Sequence, residues 1–118
     1  MEYKLTTLTA GRGDYQQGPV AAKDAVFAYP MGLAFDEDNN VYIAEQLTHT
    51  IKIMSPGANS SVSVFAGQYT DSKGWDTSEN YADGALTEAK FSHPLDVAYT
   101  GNGTLFVADR YNNSVSKI

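Results

Sequence analysis

The chain has 118 residues, a formal net charge of −6 and no cysteine. Its eight basic residues are scattered, which disfavours binding to a phosphate backbone, and without cysteine it can form neither disulfides nor sulfur-ligated metal sites. The length suits one domain, and no apolar run is long enough to span a membrane. We therefore expect an acidic protein that binds no nucleic acid and has no membrane span.

The start of the chain lacks the apolar core of a secretion signal, because the first four residues lead straight into a strand-like stretch. The sequence leaves the compartment open. An extracellular or periplasmic location is favoured if a signal has been removed.

The predicted elements of the first half are short strands separated by turn residues. They lie at residues 4–8, 31–35, 41–44, 50–54 and 61–65. The strand at 31–35 follows Pro30, which favours an extended entry. The strands at 41–44 and 105–108 do not alternate between apolar and polar residues, so we expect both strands to be buried on both faces.

The second half repeats the first. Predicted strands at residues 95–99, 104–108 and 114–118 follow their counterparts by 64 positions, with Phe91 matching Phe27 and Val115 matching Ile51. Upstream, residues 8–11 match residues 64–67 at a displacement of 56, so the second copy carries an eight-residue insertion. Asn102-Gly103 predicts a tight hairpin, because both residues tolerate positive φ.

The repeated pattern resembles the NHL repeat. Its second copy carries Ala66-Gly67, Asp83-Gly84, an Ala-Lys-Phe-Ser-His-Pro run at 89–94 and a Val-Ala-Asp run at 107–109. The first copy departs from the pattern, since Glu45 stands for the usual Asp and Thr48 for the usual Asn. The two copies cover nearly the whole chain.

This resemblance implies an all-β fold of propeller blades, each with four strands, and commonly six blades in a ring. The chain is then a single unit, with a first repeat at 4–54 that includes a leading outer strand and a second repeat at 61–118. Two blades cannot close a ring, so we expect either a cyclic homotrimer or a part of a longer propeller. The edge strands that would join neighbouring chains contain Lys4, Leu5, Thr6, Thr7, Leu8, Ser114, Val115, Ser116, Lys117 and Ile118.

Matching apolar positions in the two copies predict the core between the blades. We expect these side chains to be buried: Phe27, Leu33, Val41, Ile43, Phe91, Val97, Leu105 and Val107.

Several polar motifs invite a functional reading. Glu45 and Asp109 each end the second strand of a blade, where a carboxylate could act as an acid or base; we favour hydrogen bonds to backbone amides of the following loop. Residues 36–40 resemble a calcium loop without its glycine or its distant glutamate, so a hairpin turn is the better interpretation. Arg12-Gly13-Asp14 is an adhesion tripeptide, and we read it as a chance match in a glycine-rich loop.

His93 is the sharpest chemical candidate, because it precedes Pro94 at the entry to an innermost strand and could lie near the mouth of a central channel. An imidazole there could bind a divalent metal or move a proton. The resemblance implies zinc-holding histidines near such entries in NHL-like lyases. A hydrogen-bonding surface histidine is the favoured reading.

The loop at residues 68–81 contains the insertion. It carries the only tryptophan together with tyrosines and carboxylates, a combination that suits a sugar or a peptide. We name Tyr69, Trp75, Asp76, Tyr81 and His93 as candidate ligand-binding residues. The alternative is that the aromatic side chains only pin the loop onto its own blade.

The function predicted from these features is recognition without catalysis, in which a rigid scaffold presents loops to a protein, a peptide or a glycan. The first alternative is an enzyme of zinc-lyase or lactone-hydrolase type at the channel mouth. The second is a structural fragment of a longer propeller with no activity alone. No cofactor is required, apart from a possible divalent metal at His93.

Overall fold

The structure, a computed structural model, describes residues 3–9, 18–69 and 83–118. Arg12-Gly13-Asp14, Trp75, Asp76 and Tyr81 lie outside the described residues. All the regular structure within the described ranges consists of β-strands and two short 3₁₀ turns, at Ala22–Asp24 and Arg110–Asn112. No helix in these ranges has the length and hydropathy that a membrane crossing requires.

Blade 1 is a twisted antiparallel sheet from the first half of the chain. Its strands are β1 (Val20–Ala21), β2 (Pro30–Phe35), β3 (Val41–Glu45), β4 (Thr50–Met54) and β5 (Ser61–Ala66). They lie in the order β1-β5-β4-β3-β2, so the short β1 caps the outer edge of a four-stranded blade. The four long strands agree with the predicted positions.

Blade 2 has three strands, β6 (Pro94–Tyr99), β7 (Leu105–Asp109) and β8 (Ser114–Lys117), in that order. The hairpin between β6 and β7 has positive φ at both Asn102 (54°) and Gly103 (76°), as the Asn-Gly pair predicts. The described residues contain no fourth strand beside β8, whose outer edge is therefore open. The prediction of two propeller-type blades, the second of them incomplete, is confirmed.

The core lies between the two blades. Side chains from β2, β3 and β4 meet side chains from β6 and β7, and Tyr42 stacks on Tyr99 with ring centroids 6.3 Å apart. This core contains Ala34, Tyr42, Ala44, Ile51, Ala66, Phe91, Val97, Leu105 and Val107. All four residues at 41–44 are buried, as the non-alternating pattern predicts. The same prediction is wrong for residues 105–108, because Phe106 and Ala108 are exposed on the face of blade 2 that points away from blade 1.

Two of the predicted core residues need correction. Leu33 is 61% exposed, and Phe27 is only half-buried. Both lie on the face of blade 1 that points away from blade 2, where they line a groove of about 680 Å³ with Met31, Phe35 and Met54. The repeat correctly placed Leu33 on an apolar blade face, but no blade among the described residues covers that face. The other six predicted core residues are buried.

The predicted edge strand at residues 4–8 would pair with a neighbouring chain, so the single chain leaves it a prediction. Residues 3–9 form no strand and residues 3–8 are exposed; the hydroxyl of Thr9 ties the segment to blade 1 by donating to the carbonyl of Ala25 (3.2 Å). A strand requires a partner for its backbone hydrogen bonds, and no strand in the described part of the chain pairs with this segment.

The two blades approach each other most closely at Gly32 on β2 and Asp96 on β6. A Cβ atom placed on Gly32 would lie 2.2 Å from the Asp96 carboxylate and 2.7 Å from its Cα atom. Asp96 is the repeat counterpart of Gly32, 64 positions later. The junction therefore leaves no room for a side chain at position 32.

Candidate functional site

The carboxylates that end the second strand of each blade occupy equivalent sites. In blade 2, one oxygen of Asp109 accepts from the amide of Ser92 (2.8 Å) and the other from Nδ2 of Asn112 (2.6 Å). In blade 1, Glu45 accepts from the amide of Ala28 (3.2 Å) and from the hydroxyl of Thr48.

These four contacts correct one detail of the sequence prediction. The amide that each carboxylate binds lies in the segment before the first strand, while the following loop contributes a side chain. Both carboxylates are almost fully buried. Burial raises the pKa of Asp109, although its hydrogen bonds from Ser92 and Asn112 act in the opposite direction. Each carboxylate has a structural role, because its hydrogen bonds link the segment before the first strand of the blade to the turn after the second strand.

Glu45 has a further partner that has no counterpart in blade 2. The ammonium of Lys52 lies 3.0 Å from Oε1 of Glu45, and both side chains are buried. The same ammonium lies 5.3 Å from the ring centre of Phe27 and 5.8 Å from that of Tyr69. The repeat counterpart of Lys52 is Ser116. The longer glutamate and the lysine thus form one buried ion pair next to the start of the 68–81 loop.

The stem of that loop is held by two hydrogen bonds. The amide of Gly67 donates to the carbonyl of Leu86 (2.7 Å), and Nε2 of Gln68 donates to the carbonyl of Glu88 (3.1 Å). Tyr69 is half-buried above Lys52. The remaining ligand candidates of this loop lie outside the described residues, so the structure positions only its base.

The sequence analysis favoured a surface position for His93. That expectation is wrong, because the side chain is fully buried at the junction of the two blades. Its backbone amide donates to Nδ1 of His49 (3.1 Å), and its ring contacts the rings of His49 (4.5 Å between centroids) and Tyr111 (4.7 Å). The described residues contain no group of three or more His, Asp or Glu side chains that could hold a metal ion. The position of His93 is that of a packing residue between blades.

The corners of both blades share an unusual backbone conformation. Tyr29 and His93, each before the proline that opens a blade, have φ of 58° and 55°. His49 and Asn113, each before the third strand, have φ of 59° and 50°. Non-glycine residues seldom adopt this left-handed region. The repeat therefore reproduces two strained corners in each blade, and sequence reasoning did not foresee them.

Asp36 closes the hairpin of blade 1. Its carboxylate accepts four hydrogen bonds of 2.9 Å each, from the amides of Asp38 and Asn40, from Nδ2 of Asn40 and from the hydroxyl of Tyr42. The bond from the Asn40 side chain is the main reason why the pKa of Asp36 is lowered. This geometry is that of a hairpin turn stabilised by its own acid.

Tyr42 should ionise unusually late. Burial, followed by its hydrogen bond to Asp36, raises the pKa of Tyr42 to about 12 from 10.0. Because the folded value lies above the unfolded one, the stability that this contact contributes is present below pH ~10 and is lost as the pH rises towards 12. Phenolate absorbance titration of the protein and of Tyr42→Phe should differ by one step near pH 12; a difference near pH 10 would contradict the assignment.

Residues 91–118 match the NHL repeat model. The plant protein SUPPRESSOR OF QUENCHING 1, chloroplastic, of Arabidopsis thaliana is 30% identical over 95 residues, which are 80% of this chain and 8% of that protein.

Two crystal structures from Bacteroides thetaiotaomicron are similar to this fold. A structural genomics protein of unknown function superposes with a TM-score of 0.73 at 29% identity, over 90% of this chain and 24% of the other. An auxiliary nutrient binding protein superposes with a TM-score of 0.72 at 22% identity, over 93% of this chain and 27% of the other. The chain thus spans about a quarter of each structure and far less of the plant protein. Residues 91–118 thus match an NHL repeat, and the same blade geometry 64 residues earlier shows that the chain is built of β-propeller blades.

Proposed function

We propose that this chain is a recognition module without catalytic activity, in which two packed blades hold the 68–81 loop for a peptide, a protein or a glycan. The observation that carries the proposal is the braced stem of the loop. Its ends are fixed by the Gly67–Leu86 and Gln68–Glu88 hydrogen bonds, and Tyr69 packs over the buried Lys52. A rigid base lowers the ordering cost that a binding loop incurs when it meets its ligand.

The buried polar groups favour recognition over catalysis. Glu45 and Asp109 are engaged in hydrogen bonds that hold the blades together, and His93 is enclosed between His49 and Tyr111. A general acid or base must reach a substrate, and these three side chains are buried. Similarity to a nutrient binding protein supports the binding class at the level of the fold alone.

The single tryptophan makes the proposal directly testable, because Trp75 lies in the loop and its fluorescence should change on binding. Glycan and peptide arrays would provide ligands, and a fluorescence titration would measure their affinity. We expect Trp75→Ala to weaken binding on the array by roughly 30-fold or more, as for a central aromatic anchor.

The matched control is Tyr3→Ala, which removes an exposed aromatic ring outside the loop. It should leave binding unchanged. Equal affinity of the Trp75→Ala variant and the unmodified chain for an array ligand would refute the loop as the binding site.

A further inference from the structure

Blade 2 contains a vacant strand position. In blade 1, β5 lies between β4 and the short β1. The counterpart of β4 is β8, and the counterparts of the two residues of β1 are Gly84 and Ala85, 64 positions later. A groove of about 1020 Å³ is lined both by β8 and by residues 83–86, and no strand of the described residues fills it. The groove therefore has, on its two sides, the same elements that hold β5 in blade 1.

Residues 4–8 have the sequence and the exposure of the missing strand. Residues 8–11 match residues 64–67, the end of β5 and the glycine after it, at the displacement of 56. Leu5 is 94% exposed, so the segment holds apolar surface in water. β5 belongs to blade 1 and leads into blade 2; by the same pattern, residues 4–8 belong to a blade that precedes blade 1. Two blades cannot close a ring, and the blade that would precede blade 1 is not among the described residues.

The open faces of the two blades complement each other as the packed faces do. Across the existing junction, Tyr42 stacks on Tyr99. Their counterparts are Phe106 on the open face of blade 2, 36% exposed, and Phe35 on the open face of blade 1, 60% exposed. A second junction of the same geometry would stack Phe106 on Phe35.

One polar contact would recur at that second junction, and one place would have to differ. Asp96 would again face Gly32, but its Cβ would then occupy the position that lies 2.7 Å from the opposite Cα at the existing junction, so the two blades must sit further apart there. The amide of His93 donates to His49 at the existing junction, and the counterparts of these residues are Tyr29 and Asn113. The side-chain oxygen of Asn113 can accept from the amide of Tyr29 in the same way. The chain is thus complementary to itself, head to tail.

We propose that a second copy of this chain covers the open edge of β8 and the open blade faces. Residues 4–8 of one copy form the fourth strand beside β8 of the neighbouring copy, and the open face of blade 1 of the first copy packs on the open face of blade 2 of that neighbour. The β4–β5 register, Lys52 with Val64, Ile53 with Ser63 and Met54 with Val62, fixes the register between copies. It pairs Ser116 with Leu8, Lys117 with Thr7 and Ile118 with Thr6. Three copies of two blades would close a ring of six.

Disulfide trapping tests the register, because the natural chain has no cysteine. Chains with Thr7→Cys and chains with Lys117→Cys are mixed and oxidised, so that a disulfide between the two positions must join two molecules. Directly paired residues bring their Cβ atoms within reach of a disulfide. We expect a cross-linked dimer, formed roughly tenfold or more faster than with Thr6→Cys, whose side chain points to the opposite face.

The positive control is Ile53→Cys with Ser63→Cys in one chain, an observed pair of the same geometry. If this control closes its disulfide while the mixed chains do not cross-link, or if Thr6→Cys reacts as fast as Thr7→Cys, the proposed register is wrong.

Light scattering tests the assembly itself. We expect a mass of three chains of 12.8 kDa, reduced to that of a single chain when residues 1–9 are deleted. A folded monomer of 12.8 kDa with a cooperative melt overturns the proposal and leaves the open faces to blades of a longer chain. Both outcomes are independent of Trp75, so a failure here is separable from a failure of the loop to bind.

Discussion

Replacing Lys52 by methionine should lower the free energy of unfolding by about 3–5 kcal/mol, because it leaves the buried carboxylate of Glu45 without its countercharge. The two charged groups are 3.0 Å apart, and their side chains are 3% and 0% exposed, so water cannot replace the lost partner. Urea denaturation would measure the loss. This is the largest single-site effect that we expect outside the apolar core.

The matched control removes the carboxylate together with the ammonium. Glu45→Gln with Lys52→Met keeps an oxygen that can accept from the amide of Ala28, and it removes both buried charges. We expect this double variant to recover most of the lost stability, since replacing both members of a buried pair is often close to neutral. If Lys52→Met alone unfolds at the same urea concentration as the unmodified protein, the ion pair has no role in stability.

Truncation of Leu105 to alanine should cost about 2–4 kcal/mol of unfolding free energy. The side chain is only 1% exposed and lies in the core between the blades with Ala34, Tyr42 and Ile51. Its removal leaves a cavity that the paired sheets cannot easily fill. Chemical denaturation followed by tyrosine fluorescence or far-ultraviolet circular dichroism would report the change.

Leu86→Ala is the control for this variant, because it makes the same chemical change at a partly exposed leucine. It should shift stability by well under the cost at Leu105, on the order of 1 kcal/mol or less. Equal effects at the two positions would mean that the junction between the blades is not the stabilising core.

The internal repeat made most of the fold predictable. Every long strand lies within one or two residues of its predicted position, because each follows a proline or a turn segment that the sequence marks. β1 was missed because two residues carry no periodic pattern. Residues 4–8 were predicted as a strand from their match to residues 60–64, and a match of sequence supplies no partner for the backbone. Leu33 was wrongly predicted to be buried, since burial on a blade face depends on the blade next to it.

The site was less predictable, because it depends on contacts between residues distant in sequence. The alternation in β4 places Lys52 with the polar residues, and a lysine at such a position is ordinarily solvated. One signal was nevertheless present: the first copy differs from the second at two linked positions, Glu45 for Asp109 and Lys52 for Ser116. In the first copy a glutamate replaces the shorter aspartate and a lysine replaces a serine, and these two linked changes indicate an ion pair between Glu45 and Lys52. His93 gave no comparable signal, because its burial depends on His49 and Tyr111 from either side.

At the left-handed corners of the blades, the same backbone conformation occurs with different side chains. Tyr29, His93, His49 and Asn113 adopt nearly the same φ with three different kinds of side chain. Glycine would adopt that conformation without steric cost, so the path itself demands no particular side chain. Tyr29 and Asn113 are exposed, whereas His49 and His93 pack against each other at the junction of the blades. The same backbone corner therefore serves as a surface in one place and as part of the junction in the other, and only the two exposed corners can present a new side chain to a ligand.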